Sequence, residues 1–299
     1  MDRNPKKILF IVNPIAGGKD KCNFKDILKS TLPADFEYKI VDWNDPSIDF
    51  STFLYENTDP DTGIIAAVGG DGTVNRIATQ LLYSDMILAI IPFGSGNGIA
   101  NHLSIPLNTK KALQLLQIGK VITIDACEIN DKHFVASAGV GFDAYIIQLF
   151  SESGKRGFIS YFRLVLNTYL HYQSRKYSLW LDGVKIKEKA FLITTANANQ
   201  YGGNVKIAPE ANLHDGLMDI VIMRKPNFFQ SLILAIRLFN GSINRSSLIK
   251  SYRASEVSIK RKKKGAVQYD GEHDIMKKKI DIKVLPDALK VIVATKSRL

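Results

Sequence analysis

The sequence predicts an α/β protein of two domains, an N-terminal domain on a parallel, doubly wound sheet and a C-terminal, mostly antiparallel β-sandwich. Three observations carry this. At 299 residues the chain exceeds the usual size of one small core. As far as about residue 120, short β-branched runs alternate with helical stretches, the rhythm of a parallel sheet covered on both faces. Beyond Val121 strand-like segments follow one another, joined by turn residues.

In order, Ile8–Val12, Tyr38–Val41, Ile64–Val68 and Ile87–Ile91 read as buried strands, with helices around Phe24–Ser30, Val74–Tyr83 and Thr109–Gln117. The second half offers strands at Thr123–Ile129, Phe134–Ala138, Tyr177–Leu181, Ala190–Ala196, Met218–Met223 and Glu256–Lys260. Helices over Ile159–Tyr172 and Phe228–Phe239 interrupt them. Asn130-Asp131, Asp182-Gly183 and His214-Asp215-Gly216 are the turns. Asp281–Val284 and Val291–Ala294 read as late strands, the last returning to the first domain. The predicted domains are therefore residues 1–122, with 291–299 packing back, and residues 123–290.

Hydrophobic residues at 45% and charged residues at 23% are those of a folded chain, and exclude a disordered one. The net charge of +11 favours anionic partners: nucleic acid, an anionic membrane or nucleotide phosphates. Cys22 and Cys127 form no CxxC pair, which argues against zinc-thiolate and disulfide frameworks and for a reduced, cytoplasmic setting. Ile8–Val12 is too short for a signal-peptide core, and no apolar stretch reaches the roughly 18 residues of a spanning helix.

The strongest local signal is Ile64–Val68 running into Gly69-Gly70-Asp71-Gly72-Thr73 and a helix containing Asn75. Beyond the carboxyl end of a parallel strand, glycines let backbone N–H groups approach phosphate. Neither the Walker loop nor GxGxxG is present. Asp71 beside bare phosphate would repel it, and Mg²⁺ between them resolves this. Two more loops end strands in the same half: Asn13-Pro14-Ile15-Ala16-Gly17-Gly18-Lys19 and Pro92-Phe93-Gly94-Ser95-Gly96-Asn97-Gly98. All three would converge on one crevice.

Together these loops resemble the nucleotide loops of the diacylglycerol kinase catalytic domain family, which includes sphingosine kinases and bacterial lipid kinases. Gly139-Val140-Gly141-Phe142-Asp143, Gly202-Gly203 with Ala208-Pro209, Asp215-Gly216-Leu217-Met218-Asp219 and Asp270-Gly271-Glu272 follow in that family's order. The resemblance implies a Rossmann-like NAD kinase/diacylglycerol kinase fold and an ATP- and Mg²⁺-dependent lipid kinase. ATP would be held by Asn13, Pro14, Gly17, Gly69, Gly70, Asp71, Gly72, Thr73, Asn75, Gly94, Ser95 and Asn97, with Arg156 offering a cation. Asp71 would work on the Mg-phosphate, and either Asp270 or Glu272 would take the proton from the lipid hydroxyl. Asn212, Asp215 and Leu217 stand where related enzymes bind a structural Mg²⁺. Asp143 is the candidate substrate residue, although Ile147 stands where sphingosine kinases place theirs. The site is expected between the two domains.

The chain departs from the family in having Asn75-Arg76 where Asn-Glu is usual, with Arg76 then a phosphate contact, and in having Asn97-Gly98 for Asn-Asp. The basic runs Lys260–Lys264 and Lys277–Lys279 flank Asp270-Gly271-Glu272, which suits peripheral association with an anionic membrane carrying the lipid substrate. The Phe228–Phe239 helix suits an interface too, a core-facing packing being the commoner arrangement. A homodimer is a further expectation. No nucleic-acid motif accompanies the charge, so no dedicated nucleic-acid partner is expected. The alternatives are an NAD kinase, which shares the Gly-Gly-Asp-Gly loop, and a nucleotide-binding regulator without transfer.

Overall fold

The computed structural model describes residues 7–14, 23–44, 48–154 and 158–295. The chain forms two compact units. One comprises Met1–Ala126, Gly202–Asn204 and Pro286–Leu299; the other comprises Cys127–Tyr201 and Val205–Leu285.

The first unit alternates β1 (Lys7–Val12), α1 (Phe24–Thr31), β2 (Tyr38–Asp42), α2 (Phe50–Asn57), β3 (Thr62–Gly69), α3 (Asp71–Gln80) and β4 (Ile87–Pro92). Then come α4 (Gly98–His102), α5 (Thr109–Ile118) and the start of β5 (Lys120–Ile129). β1, β3 and β4 are continuous apolar runs buried along nearly their whole length, as strands covered on both faces must be. The strands order as β2-β1-β3-β4, all parallel. The chain leaves β1 for β2 on one side and returns to β3 on the other, so the carboxyl ends of β1 and β3 lie side by side at a topological switch point.

The second unit contains β6 (Lys132–Phe134), β7 (Ser137–Gly141), α6 (Phe142–Glu152), α7 (Phe158–His171), β8 (Arg175–Leu181), β9 (Val184–Ala190), β10 (Leu192–Ala196), β11 (Met218–Met223) and α8 (Phe228–Asn240). β12 (Ile249–Ala254), β13 (Glu256–Arg261), β14 (Gly265–Tyr269), β15 (Glu272–Met276) and β16 (Lys279–Val293) follow. One antiparallel sheet orders as β12-β11-β10-β7-β14-β15. The other holds β9, β8, β13 and the first part of β16. Tyr177, Leu179, Val257, Ile259 and Ile280 of the second sheet and Val140, Ile193, Ile220 and Val267 of the first form a single core, making a sandwich. The other face of the first sheet buries Leu192, Val221 and Met223 with Phe142 and Ile146 of α6 and Leu234 of α8.

Four sequence expectations change. Phe134–Ala138 and Ala190–Ala196 each break into two strands, because Val135-Ala136 and Phe191 change sheet partners. Asp281–Val284 and Val291–Ala294 belong to the one strand β16, whose end pairs in the first unit, Lys290 beside Ile87. Phe142–Glu152 is helical. α8 meets the core through Leu234, its one buried side chain, and leaves most of its other apolar residues outside it.

Candidate active site

In the first unit, Asn13 after β1 and the residues after β3 and β4 come together. Asn13 at the end of β1 donates its Nδ2 to Thr73 Oγ1 at 3.1 Å, and its backbone N–H reaches Val68 O. Phe93 N–H donates to Gly69 O at 2.7 Å. The glycines are required by this closeness. A Cβ on Gly94 would lie 2.5 Å from Gly70 Cα, and one on Gly96 would lie 2.7 Å from Asp71 Oδ2, so backbone meets backbone with no room for side chains. Asn97, itself in the left-handed region at φ 48°, closes its loop by accepting from Gly94 N–H and donating to Gly94 O. Gly203 N–H donates to Gly96 O, which brings Gly202–Asn204 into the same cradle. Gly202 and Gly203 are both at positive φ, and the glycine pair is the sequence signal for this contact.

Asp71 opens α3, where anionic groups meet the positive end of the helix dipole. Burial raises its carboxyl pKa above the usual range, and backbone N–H groups of Gly98, Ile99 and Asn97 oppose that rise by binding the anion. Thr73 and Asn75 are buried, and Asn75 Oδ1 has no hydrogen-bond partner there. Gly72, in the first turn of α3, is exposed, as are Ser95 and Pro14. Arg76, expected at phosphate, instead sits over the Trp43 ring, 4.7 Å from its centroid. Gly17 and Arg156 lie outside the described residues.

In the second unit, Asp270-Gly271 is the turn of the β14–β15 hairpin, with φ 45° and 85°. Asp270 Oδ2 accepts Val135 N–H at 2.7 Å, and Oδ1 accepts Ala136 and Ser137 N–H at 2.9 and 2.8 Å. Three donors hold this carboxylate in the segment between β6 and β7. That arrangement contradicts a base role for Asp270, whose work is to fix the hairpin. Glu272 follows at the start of β15, half-buried and opposite Tyr269. Tyr269 donates its hydroxyl to Asp274 Oδ2 at 2.7 Å.

Asp143 stands in the first turn of α6, two residues after its N-cap Gly141 at φ 117°. Gln268 Nε2 approaches its Oδ2 at 3.4 Å and Tyr201, itself hydrogen-bonded to Thr194, adjoins it, while Oδ1 is buried without a hydrogen-bond partner. Burial pushes its pKa up to about 6, against weaker opposing hydrogen bonds from Ala144 N–H and Gln268. Gln268 and Tyr201 reach Asp143 through the pairing of β7 with β14 and β10 and the segment after β10, and no local sequence signal marks them.

The proposed metal residues are arranged differently. Asn212 Oδ1 accepts His214 N–H, Asp215 Oδ1 accepts Leu217 N–H, and Asp215 Oδ2 is ion-paired with Arg253. The guanidinium neutralises Asp215, the one carboxylate of the set. Asp219 lies near the same arginine, its pKa pushed up to about 6 by burial, with Arg253 opposing. Among the described residues no group of three or more His, Cys, Asp or Glu is placed to hold a metal.

Comparison with known proteins matches residues 7–129 to the diacylglycerol kinase catalytic domain and residues 136–293 to the YegS C-terminal NAD kinase beta sandwich-like domain. A protein of Yersinia enterocolitica named "Probable lipid kinase YegS-like" is 31% identical over 196 residues, 61% of this chain and 63% of that protein. The match thus spans less than two thirds of that relative. The fold is similar to that of a diacylglycerol kinase from Bacillus anthracis str. Sterne, with TM-score 0.73, 22% identity and 98% of each chain covered. It is more distantly similar to an NAD kinase from Archaeoglobus fulgidus in complex with ATP, with TM-score 0.55, 14% identity and coverage of 97% of this chain and 95% of that one.

Proposed function

The chain belongs to the diacylglycerol kinase catalytic domain family, with a YegS-type C-terminal domain, and from that membership we propose an ATP-dependent lipid kinase that phosphorylates a lipid hydroxyl. The observation that carries the reading is the glycine cradle around Asp71, where Gly70 and Gly94 touch backbone to backbone and Gly96 abuts the carboxylate.

Phosphoryl transfer asks a protein mainly for positioning and charge neutralisation. Backbone N–H groups at the N-terminus of α3 face the place where phosphate would lie, and Asn13 fixes the Thr73 hydroxyl beside them. Asp71 supplies a hard carboxylate oxygen in a partly desolvated setting, which fits Mg²⁺ arriving with ATP. When bound, that ion would neutralise charge on the phosphates. Glu272 takes the proton from the acceptor hydroxyl, and Asp270 positions it by clamping the turn two residues earlier. Asp143, held neutral or charged according to pH near 6, is placed to hydrogen bond a polar lipid group.

The reading is tested by incubating purified protein with ATP, Mg²⁺ and either a panel of diacylglycerols and sphingoid bases or NAD. A phosphorylated lipid is expected. NADP without lipid product would assign the cradle to an NAD kinase, and ATP binding without either product would assign it to a regulator.

A further inference from the structure

We propose that the exposed face formed by α7 and α8 is where this protein docks on an anionic lipid bilayer. This assignment goes beyond the phosphoryl transfer proposed above and stands whether or not that transfer occurs.

Helix α8 carries two apolar faces. One packs inward through Leu234, with Leu238 partly buried against the same core. The other presents Phe228, Phe229, Leu232, Ile233, Ile236 and Phe239, each more than half exposed, at spacings that keep them on one side of a helix. A helix that is apolar all round belongs in an apolar medium on both sides, and the fold supplies only one of them. Single exposed apolar residues are ordinary, whereas six on one helix face are not.

The face continues onto α7, where Phe162, Leu166 and Leu170 are also about half exposed or more. The two helices meet at Tyr169, whose hydroxyl binds Pro226 O and receives Ser231 Oγ at 3.4 Å. Lys225, just before α8, lies over the Tyr169 ring and donates to Tyr172 O at 2.7 Å. The end of α7 and the start of α8 are therefore fastened together. α8 itself is well built: Asn227 and Gln230 form a complete capping box and Gly241 ends it at φ 71°. Its exposed face is thus not a frayed segment.

Charge identifies the occupant. From Ile220 to Ser255 the chain has no Asp or Glu, and none falls between Phe158 and Leu181. Arg163, Arg224 and Arg245 are exposed around the apolar face, and Arg237 is half-buried beside it. A second copy of this chain seated by a two-fold axis would bring the same cations against themselves. A bilayer with anionic headgroups complements both the apolar centre and the basic rim, an arrangement in which aromatic side chains enter the headgroup boundary and arginines meet phosphate.

The test is co-sedimentation of the full chain, without ATP, with vesicles of phosphatidylcholine alone and with phosphatidylglycerol added. Wild type should partition onto the mixed vesicles at least about tenfold better than onto phosphatidylcholine alone, and added salt should weaken it. Phe229→Ser with Ile236→Ser should reduce that partition at least about tenfold with an unchanged melting temperature, since neither residue is part of the core. Arg224→Glu should abolish the preference for the anionic vesicles. Partition unaffected by these substitutions, equal partition onto both vesicles, or a solution dimer that the serine variants dissociate would each overturn the proposal. Because no ATP is used, failure here leaves lipid phosphorylation in detergent micelles as a separate result.

Discussion

Asp270 and Ser137 bind each other twice: the Ser137 N–H donates to Asp270 Oδ1 and the Asp270 N–H donates to the Ser137 carbonyl, both at 2.8 Å. With Val135 and Ala136 adding two further donors to the same carboxylate, the hairpin that presents Glu272 is pinned to the strand beside it.

Replacing Asp270 with Asn puts an NH₂ group against backbone N–H donors and leaves at least one of them unpaired. We expect Asp270→Asn to lower unfolding stability by about 2–3 kcal/mol in urea titration. Glu272→Gln, a near-isosteric change at a half-buried site, should change it by less than about 1 kcal/mol. Equal destabilisation by the two would contradict the division of labour between positioning and proton transfer.

Gly94→Ala places a methyl group where Gly70 Cα already lies, 2.5 Å away. The loops must part, and ATP affinity measured by calorimetry should fall by about tenfold or more, with a stability loss of about 1–3 kcal/mol from overpacking. Gly265→Ala, whose Cβ would stand 3.7 Å or more from its neighbours in the second unit, is the control and should bind ATP as wild type does.

These positions show how much of the cradle was legible in the sequence. β1, β3 and β4 are uninterrupted apolar runs ending in glycine or Asn-Pro, so their strand ends and the residues from Asn13 to Asn97 could be read directly. α4 is five residues long, too short for periodicity to register. α6 was hidden because two glycines precede it and its stretch from Tyr145 to Phe150 has only Gln148 to mark a polar side. The clamp on Asp270 joins residues more than 130 positions apart and leaves no local trace. The outward face of α8 was illegible for a different reason: apolar residues at helical spacing are the same whether they meet a core or a bilayer.

Asp143 gives a pH-dependent prediction. Its folded pKa of about 6 lies above the ordinary 3.8, so the folded state holds the proton more tightly than the unfolded chain. That contribution is fully present below the unfolded value and is lost as pH rises through about 6. Asp143→Asn removes the buried charge without removing volume. It should therefore stabilise the protein relative to wild type by on the order of 1–2 kcal/mol at about pH 7, with the difference shrinking toward zero near pH 4. Parallel urea titrations at the two pH values check this; a constant difference would contradict it.

Asn13→Ala removes the hydrogen bond that fixes the Thr73 hydroxyl at 3.1 Å. The expected outcome is a rise in KM for ATP of about three- to tenfold, the loss of about 1 kcal/mol of binding, with a smaller effect on KM for the acceptor. A change confined to the acceptor's KM would separate Asn13 from the nucleotide.

The most direct measurement is transfer of label from γ-labelled ATP to lipid in mixed micelles by wild type, Asp71→Ala and Glu272→Gln proteins. Wild type is expected to yield labelled lipid. Glu272→Gln should lower kcat by about 10²–10⁴-fold with ATP binding retained, as loss of a general base does. Asp71→Ala should impair both transfer and Mg-ATP binding. No labelled lipid from wild type across diacylglycerols and sphingoid bases, or full turnover by Glu272→Gln, would contradict the account.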